Sequence, residues 1–270
     1  MKVILFTIGE FPIRSYGIIV ALAVLLAMGI AHFLTRNTIY QKHISSMMTY
    51  VISGALLGAR FWHVFFFQWG YYSQHISEVF AIWNGGLAIQ GALIGGLVSV
   101  ILYTRIHNLS FFEFADQLAP AVVLGQAIGR AACFLNGDAY GSPTNSGFGI
   151  VYPTGTMAYE EYGSQALWPA EIWEGQWDLV IFAILIGMRS RTWPIGFQFI
   201  SYNLMYAVGR FMLEFLRGDS PRYALNWTAG QWTSAAVILG SVIVLIFLNK
   251  RVKVGNGAYS DEPEKEARRA

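Results

Sequence analysis

Apolar runs long enough to cross a bilayer recur along this chain, and no other feature constrains its fold as much. A hydrocarbon core of roughly 30 Å takes about 20 apolar residues as a helix. Only helices and closed barrels leave no backbone group unsatisfied in lipid. Such runs lie at 16–34, 44–66, 85–104, 117–136, 173–188, 195–216 and 230–248. They predict an all-α polytopic membrane protein with about seven transmembrane helices. The fifth run is the least regular, because Trp177-Asp178 interrupts its start. Of 270 residues, 55% are hydrophobic and 13% charged. That charged share is about half the usual one for soluble domains, and the composition excludes a disordered chain. The first run is too long for a signal-peptide core and no small-residue cleavage site follows it, so it reads as an ordinary span.

The basic residues give the spans a direction. Arg36 and Lys42 follow span one, Arg105 follows span three, and Arg189 and Arg191 follow span five. Lys250, Arg251, Lys253, Lys265, Arg268 and Arg269 lie in the tail. Residues 67–84 and 137–172 contain no Lys or Arg, and 218–229 contains only Arg222. Seven spans then place the N-terminus outside and the C-terminus in the cytoplasm, against the mild opposition of Lys2 and Arg14. The organisation expected is one transmembrane domain over 1–248, a small external cap at 137–172 between spans four and five, and a polar cytoplasmic tail at 249–270. A net charge of +2 is too small to suggest nucleic acid. A single cysteine, Cys133, excludes an internal disulfide, and five scattered histidines show no metal-ligand spacing. No metal and no cofactor is expected. There is no internal repeat or inverted pair of broken helices to suggest a secondary transporter.

Four arginines sit within or at the ends of apolar runs: Arg60, Arg130, Arg210 and Arg217. Arginine at mid-membrane costs at least roughly 2.5 kcal/mol on insertion scales, so each must snorkel, pair or face a polar cavity. On the sixth span Asn203, Tyr206, Arg210, Glu214 and Arg217 recur at intervals of three and four, which gathers them on one side of a helix. Glu214 can neutralise one arginine. Two arginines against one carboxylate predict a net positive site, and an arginine fork suits a phosphate. The alternative is a buried ion pair that only orients helices. The fourth span ends in Gly129-Arg130-Ala131-Ala132-Cys133-Phe134-Leu135-Asn136-Gly137-Asp138-Ala139-Tyr140-Gly141. This is either a glycine-rich helix end with a capping Asp, or a place where a ligand approaches the backbone. Cys133 reads as a small packing residue. In the third span Gly91 and Gly95 form a GxxxG that predicts close helix packing, with Ala92 and Gly96 extending it. Gln90 is a polar amide among these small residues.

These residues resemble those of the prolipoprotein diacylglyceryl transferases, over nearly the whole chain. The run from Gly129 to Gly141 resembles the family signature Gly-Arg-x-x-x-Phe-x-Asn-Gly-acid-x-x-Gly. Ser15-Tyr16-Gly17, Gly58-Ala59-Arg60, the stretch from Gly85 to Gly91, Pro169 to Glu174, Gly230-Gln231 and the Arg210, Glu214, Arg217 stripe are similar to further family motifs. Gln90 stands where many members have His, Trp168 where many have a His before the proline, Cys133 for Asn, Asp138 for Glu and Glu171 for Gln. The resemblance implies transfer of the diacylglyceryl group of phosphatidylglycerol to the lipobox cysteine of prolipoproteins in the bacterial plasma (inner) membrane. It implies catalytic roles for Arg130, Arg210 and Gln90. It implies substrate binding by Tyr16, Arg60, Asn136, Asp138, Gly141, Tyr206, Glu214 and Arg217. The partners implied are phosphatidylglycerol, prolipoproteins and membrane lipids. The alternatives are an impaired paralogue that binds or moves anionic phospholipid, and a small-anion transporter.

Overall fold

The computed structural model describes residues 4–8 and 11–260. A short antiparallel hairpin, β1 (Ile4–Ile8) and β2 (Phe11–Arg14), leads directly into α1 (Ser15–Leu34). There follow α2 (Ile44–Trp62), extended by a wide turn over His63–Phe67, then α3 (Trp69–Tyr72), α4 (Ile89–Ile106) and α5 (Phe111–Asn136). The short α6 (Met157–Tyr162) precedes α7 (Ala170–Met188), α8 (Phe197–Leu213) and α9 (Ala229–Ser260). The helix starts follow local chemistry. Ser110 accepts from the Glu113 amide at 3.4 Å to open α5, and Thr156 accepts from Tyr159 at 3.3 Å to open α6.

Each of the seven apolar runs contains a helix, in an all-α polytopic membrane protein, but the third opens on a non-helical turn at 85–88 before α4. Among the described residues, five segments are long and apolar enough to cross a membrane: Ser15–Leu34, Gln41–Phe67, Ile89–Ile106, Phe111–Asn136 and Ala229–Asn249. The other two differ for physical reasons. α7 carries Glu171, Glu174 and Asp178, and α8 has 17 residues. The apparent break at Trp177-Asp178 lies inside α7, which begins at Ala170, three residues before the apolar run. Helix continues there because both side chains turn inward. The Trp177 indole N–H donates to Met205 O at 2.9 Å, and Asp178 is buried. α9 runs beyond the expected end of its span, to Ser260; the tail residues 261–270 lie outside the described residues.

The chain divides into two compact units, Met1–Gly29 with Leu118–Ala270, and Ile30–Gln117. In the second, α2 and α4 cross on glycine. A Cβ on Gly91 would lie 2.1 Å from Gly58 O, and one on Gly95 would lie 2.1 Å from Gly54 O. The expected GxxxG packing is thus met by a matching Gly54-x-x-x-Gly58 on α2. Gly96, its suggested extension, makes only ordinary contacts. In the first unit Ala119 and Val123 of α5, Ile181 and Leu185 of α7 and Tyr202 of α8 form an apolar core. Between α5 and α7 the chain builds a cap with its own small core of Tyr140, Tyr152, Ala158 and Leu167. Burial, and then the 2.5 Å hydrogen bond to Glu161, hold the Tyr140 phenol above its usual pKa.

Candidate functional site

The first unit gathers three of the four span arginines around one carboxylate. Glu174, on the second turn of α7, is buried. Its Oε2 meets Arg130 Nη1 of α5 at 2.7 Å. Its Oε1 meets Arg210 Nη1 of α8 at 2.5 Å and Arg217 Nη1 at 3.4 Å. Arg210 turns its other terminal nitrogen to Glu214 Oε2 at 2.8 Å, the i,i+4 pair legible in the sequence. Arg217 lies past the end of α8 and grips Asp219 with two parallel bonds, Nε–Oδ1 at 2.7 Å and Nη2–Oδ2 at 2.5 Å.

The expected surplus of positive charge is therefore not what these residues make. Among the described residues, Arg130, Arg210 and Arg217 pair with Glu174, Glu214 and Asp219, three guanidiniums to three carboxylates, and Asp178 lines the same cavity. The reckoning from α8 alone missed Glu174 because its partners stand on other helices. Two signals could have found it: an acid inside an apolar run, and its place at the end of the Pro169–Glu174 motif. Anion-binding capacity now rests on unused donors. Arg130 has one ion-paired nitrogen, and its side chain is 18% exposed. Arg210 is 21% exposed, with both terminal nitrogens engaged. Arg217 is 8% exposed and its fork is filled by Asp219 and Glu174. Arg130 is the guanidinium best able to take a new anion.

Glu214 is positioned by the start of α9. Thr228 Oγ1 donates to Glu214 Oε1 at 2.9 Å. The same Thr228 closes a capping box: Gln231 N donates to Thr228 Oγ1 at 3.2 Å, and Thr228 N donates to Gln231 Oε1 at 3.0 Å. A Cβ on Gly230 would come within 3.0 Å of Glu214 Oε1, so the carboxylate rests against a helix N-terminus, where negative charge is favoured.

The fourth-span motif ends α5 beside this cluster. Asn136 Nδ2 donates to Asp138 Oδ2 at 3.0 Å, while Asp138 Oδ1 is buried with no hydrogen-bond partner. Tyr16, on the first turn of α1, lies within electrostatic reach of Cys133, Asp138 and Arg130. Gly141 is a crossing point of backbones. Its Cβ would fall 2.2 Å from Trp168 O, and it forms a β-bridge with Arg217. Tyr206 lines a cavity of about 10 Å³ with Arg130, Glu174, Trp177, Asp178, Gly209, Arg210 and Leu213. That volume holds about one water. The arginines are packed on their own carboxylate.

Arg60 and Gln90 belong to the second unit. Arg60 is buried at the end of α2, and its guanidinium donates to the carbonyls of Glu78, Val79, Gly85 and Gly86. Gln90 stands exposed on the first turn of α4.

Comparison with known proteins gives one consistent family. A family model described as prolipoprotein diacylglyceryl transferase matches residues 3–247. A phosphatidylglycerol–prolipoprotein diacylglyceryl transferase of Staphylococcus epidermidis is 36% identical over 252 residues, covering 92% of this chain and 88% of the relative. One of the same name from Synechocystis sp. is 37% identical over 253 residues, covering 91% and 89%. Another from Acaryochloris marina is 35% identical over 219 residues, covering 80% of each.

Proposed function

Because the chain belongs to the prolipoprotein diacylglyceryl transferase family, we propose that its buried arginine–glutamate cluster transfers the diacylglyceryl group of phosphatidylglycerol to a prolipoprotein cysteine. It is a membrane transferase, and the reaction is the first step of lipoprotein maturation. The thiol sulfur bonds to the glyceryl carbon as that carbon's bond to phosphate oxygen breaks. The electron pair leaves with glycerol phosphate, and a thioether remains. Negative charge grows on the leaving phosphate, so preorganised donors in a water-poor site lower the barrier most.

The observation that carries this reading is the Glu174 bridge. It holds Arg130 and Arg210 on the two oxygens of one carboxylate, with the two side chains 18% and 21% exposed. Arg130 grips the phosphate through its unused N–H groups, and Arg210 supports it. Glu174 and Glu214 orient the two. Arg217, filled by Asp219 and Glu174, acts on the substrate by shaping this wall. Tyr16, Tyr206, Asn136 and Asp138 bind headgroup or precursor. Gly141 contributes by letting its strand meet Trp168 and Arg217. Gln90 holds the thiol or a water. The proton passes to Asp138 or to the departing phosphate, and nearby arginines raise the thiolate share of a thiol whose ordinary pKa is about 8.5.

The same proposal sets the protein in the bacterial inner membrane as one catalytic domain, with the N-terminus and the 137–172 cap outside and the C-terminal tail in the cytoplasm. The test is mass spectrometry of a lipobox peptide incubated with the purified protein in phosphatidylglycerol micelles. A diacylglyceryl adduct is expected on the cysteine, and none with Arg130→Ala or with a cysteine-free peptide. Bound phosphatidylglycerol without any adduct would replace the transferase with a lipid-binding paralogue.

A further inference from the structure

A membrane arginine is expensive, and Arg60 has no carboxylate partner among the hydrogen bonds and ion pairs of the described residues. Its charge is met by backbone. Nε donates to Val79 O at 2.7 Å, Nη1 to Gly85 O at 2.7 Å and Gly86 O at 3.1 Å, and Nη2 to Glu78 O at 2.6 Å. The guanidinium carbon lies 5.0 Å from the centre of the Tyr72 ring. Four of its five N–H donors are therefore spent on one loop, and the side chain is only 6% exposed. A guanidinium so occupied has little left for a phosphate.

What it holds is the approach to α4. Gly85 and Gly86 both take positive φ, 85° and 71°, a turn that side chains resist. A Cβ on Gly86 would lie 2.8 Å from Arg60 Nη1 and 2.8 Å from His63 Nε2, so the turn is pressed directly onto the clamp. Two residues on, Ala88 N donates to Ala59 O at 3.1 Å, joining the start of α4 to the neighbour of Arg60. Gln90 follows in the first turn of α4. The loop has short turns of its own, Ala81 N to Glu78 O and Gly85 N to Ile82 O, and the planar fork ties both of its ends to α2.

We propose that Arg60 is a positioning residue for the transfer reaction: its guanidinium clamps the 78–86 loop and thereby sets where Gln90 stands. This rests on the reading of Gln90 as the group that holds the thiol. Lysine cannot replace the fork, because an ammonium has three donors, no plane and a tighter hold on water.

The test is steady-state kinetics of transfer to a lipobox peptide for Arg60→Gln, Arg60→Lys, Gly86→Ala, Gln90→Ala and the combination of Arg60→Gln with Gln90→Ala. Misplacement by about 1 Å costs up to roughly 10²-fold in rate. We expect kcat to fall about 10- to 100-fold in Arg60→Gln, in Arg60→Lys and in Gly86→Ala, with KM for phosphatidylglycerol little moved. In the Gln90→Ala background, Arg60→Gln should cost nothing more, the mark of residues acting as a unit. Hydrogen exchange should quicken at 85–88 and stay unchanged in the middle of α2. Rescue by lysine, a raised KM with unchanged kcat, or full additivity would each overturn the proposal and return Arg60 to direct phosphate binding. Wild-type activity in Gln90→Ala would instead remove the Gln90 reading, and the proposal with it. If the Arg60 variants do not fold, Gly86→Ala alone and with Gln90→Ala decides between the same outcomes, since it disturbs the clamp with Arg60 in place.

Discussion

A buried charge is interpretable only with all its partners in view, and Glu174 shows why. From one helix the charges add to an excess of arginine. With α7 in place the same arginines are neutralised, and the site gains a fixed geometry rather than a fixed charge. Breaking a buried pair by neutralising one partner costs about 3–5 kcal/mol, because the others are left buried without it. Glu174→Gln removes the shared anion from three guanidiniums at once. It should lower the unfolding temperature in detergent and reduce kcat by about 10²-fold in the fraction that stays folded. Glu214→Gln should do less, since only Arg210 loses an ion pair. Equal losses in the two variants would mean that Arg210 alone carries the chemistry. The pair Arg210–Glu214 was legible in the sequence because i,i+4 spacing is a local property of a helix. Glu174 and the carbonyl clamp of Arg60 were not, because their partners are set by tertiary packing.

At the scale of elements, the start of α9 is a working part of the site. Thr228 serves at once as a cap acceptor for Gln231 N and as a donor to Glu214. Thr228→Val keeps the shape and deletes both bonds. Loss of a cap costs about 0.5–2 kcal/mol, and a buried carboxylate robbed of its donor adds to that. We expect a lower melting temperature together with a fall in kcat, transmitted through Glu214 to Arg210. Thr228→Ser should restore both, measured on the same purified samples. A drop in stability with full kcat would confine Thr228 to capping. The crossing of α2 and α4 is the converse case, an element contact that the sequence announced. Small residues four apart on two apolar helices leave backbone as the contact surface, and the structure packs Gly54 and Gly58 on Gly95 and Gly91.

For the whole molecule, the question is which way the site faces, and the first unit bears on the topology proposed above. The cap strand at Gly141 bridges Arg217. α7 leaves from the cap and α8 returns to it, so the turn between them lies at the far end. Nineteen residues of α7 rise about 28 Å at 1.5 Å each, close to the thickness of a hydrocarbon core. In the proposed topology the two polar helices cross as a pair. Arg189 and Arg191 lie at the far end, and α9 runs from Thr228 toward Lys250, Arg251 and Lys253. The cap residues 137–172 carry no Lys or Arg. In the proposed topology basic residues remain on the cytoplasmic side, and the cap and the arginine cluster face the outside. A thiol arriving on an exported precursor would meet the site from that side. In a Cys133→Ser background, Ser146→Cys in the cap should react with a membrane-impermeant maleimide in intact spheroplasts. Ser190→Cys, in the α7–α8 turn, should react only after lysis. Both positions are exposed, so access reports the side of the membrane alone. The reverse pattern would invert the topology and leave the cluster facing the cytoplasm, where an exported substrate could not reach it.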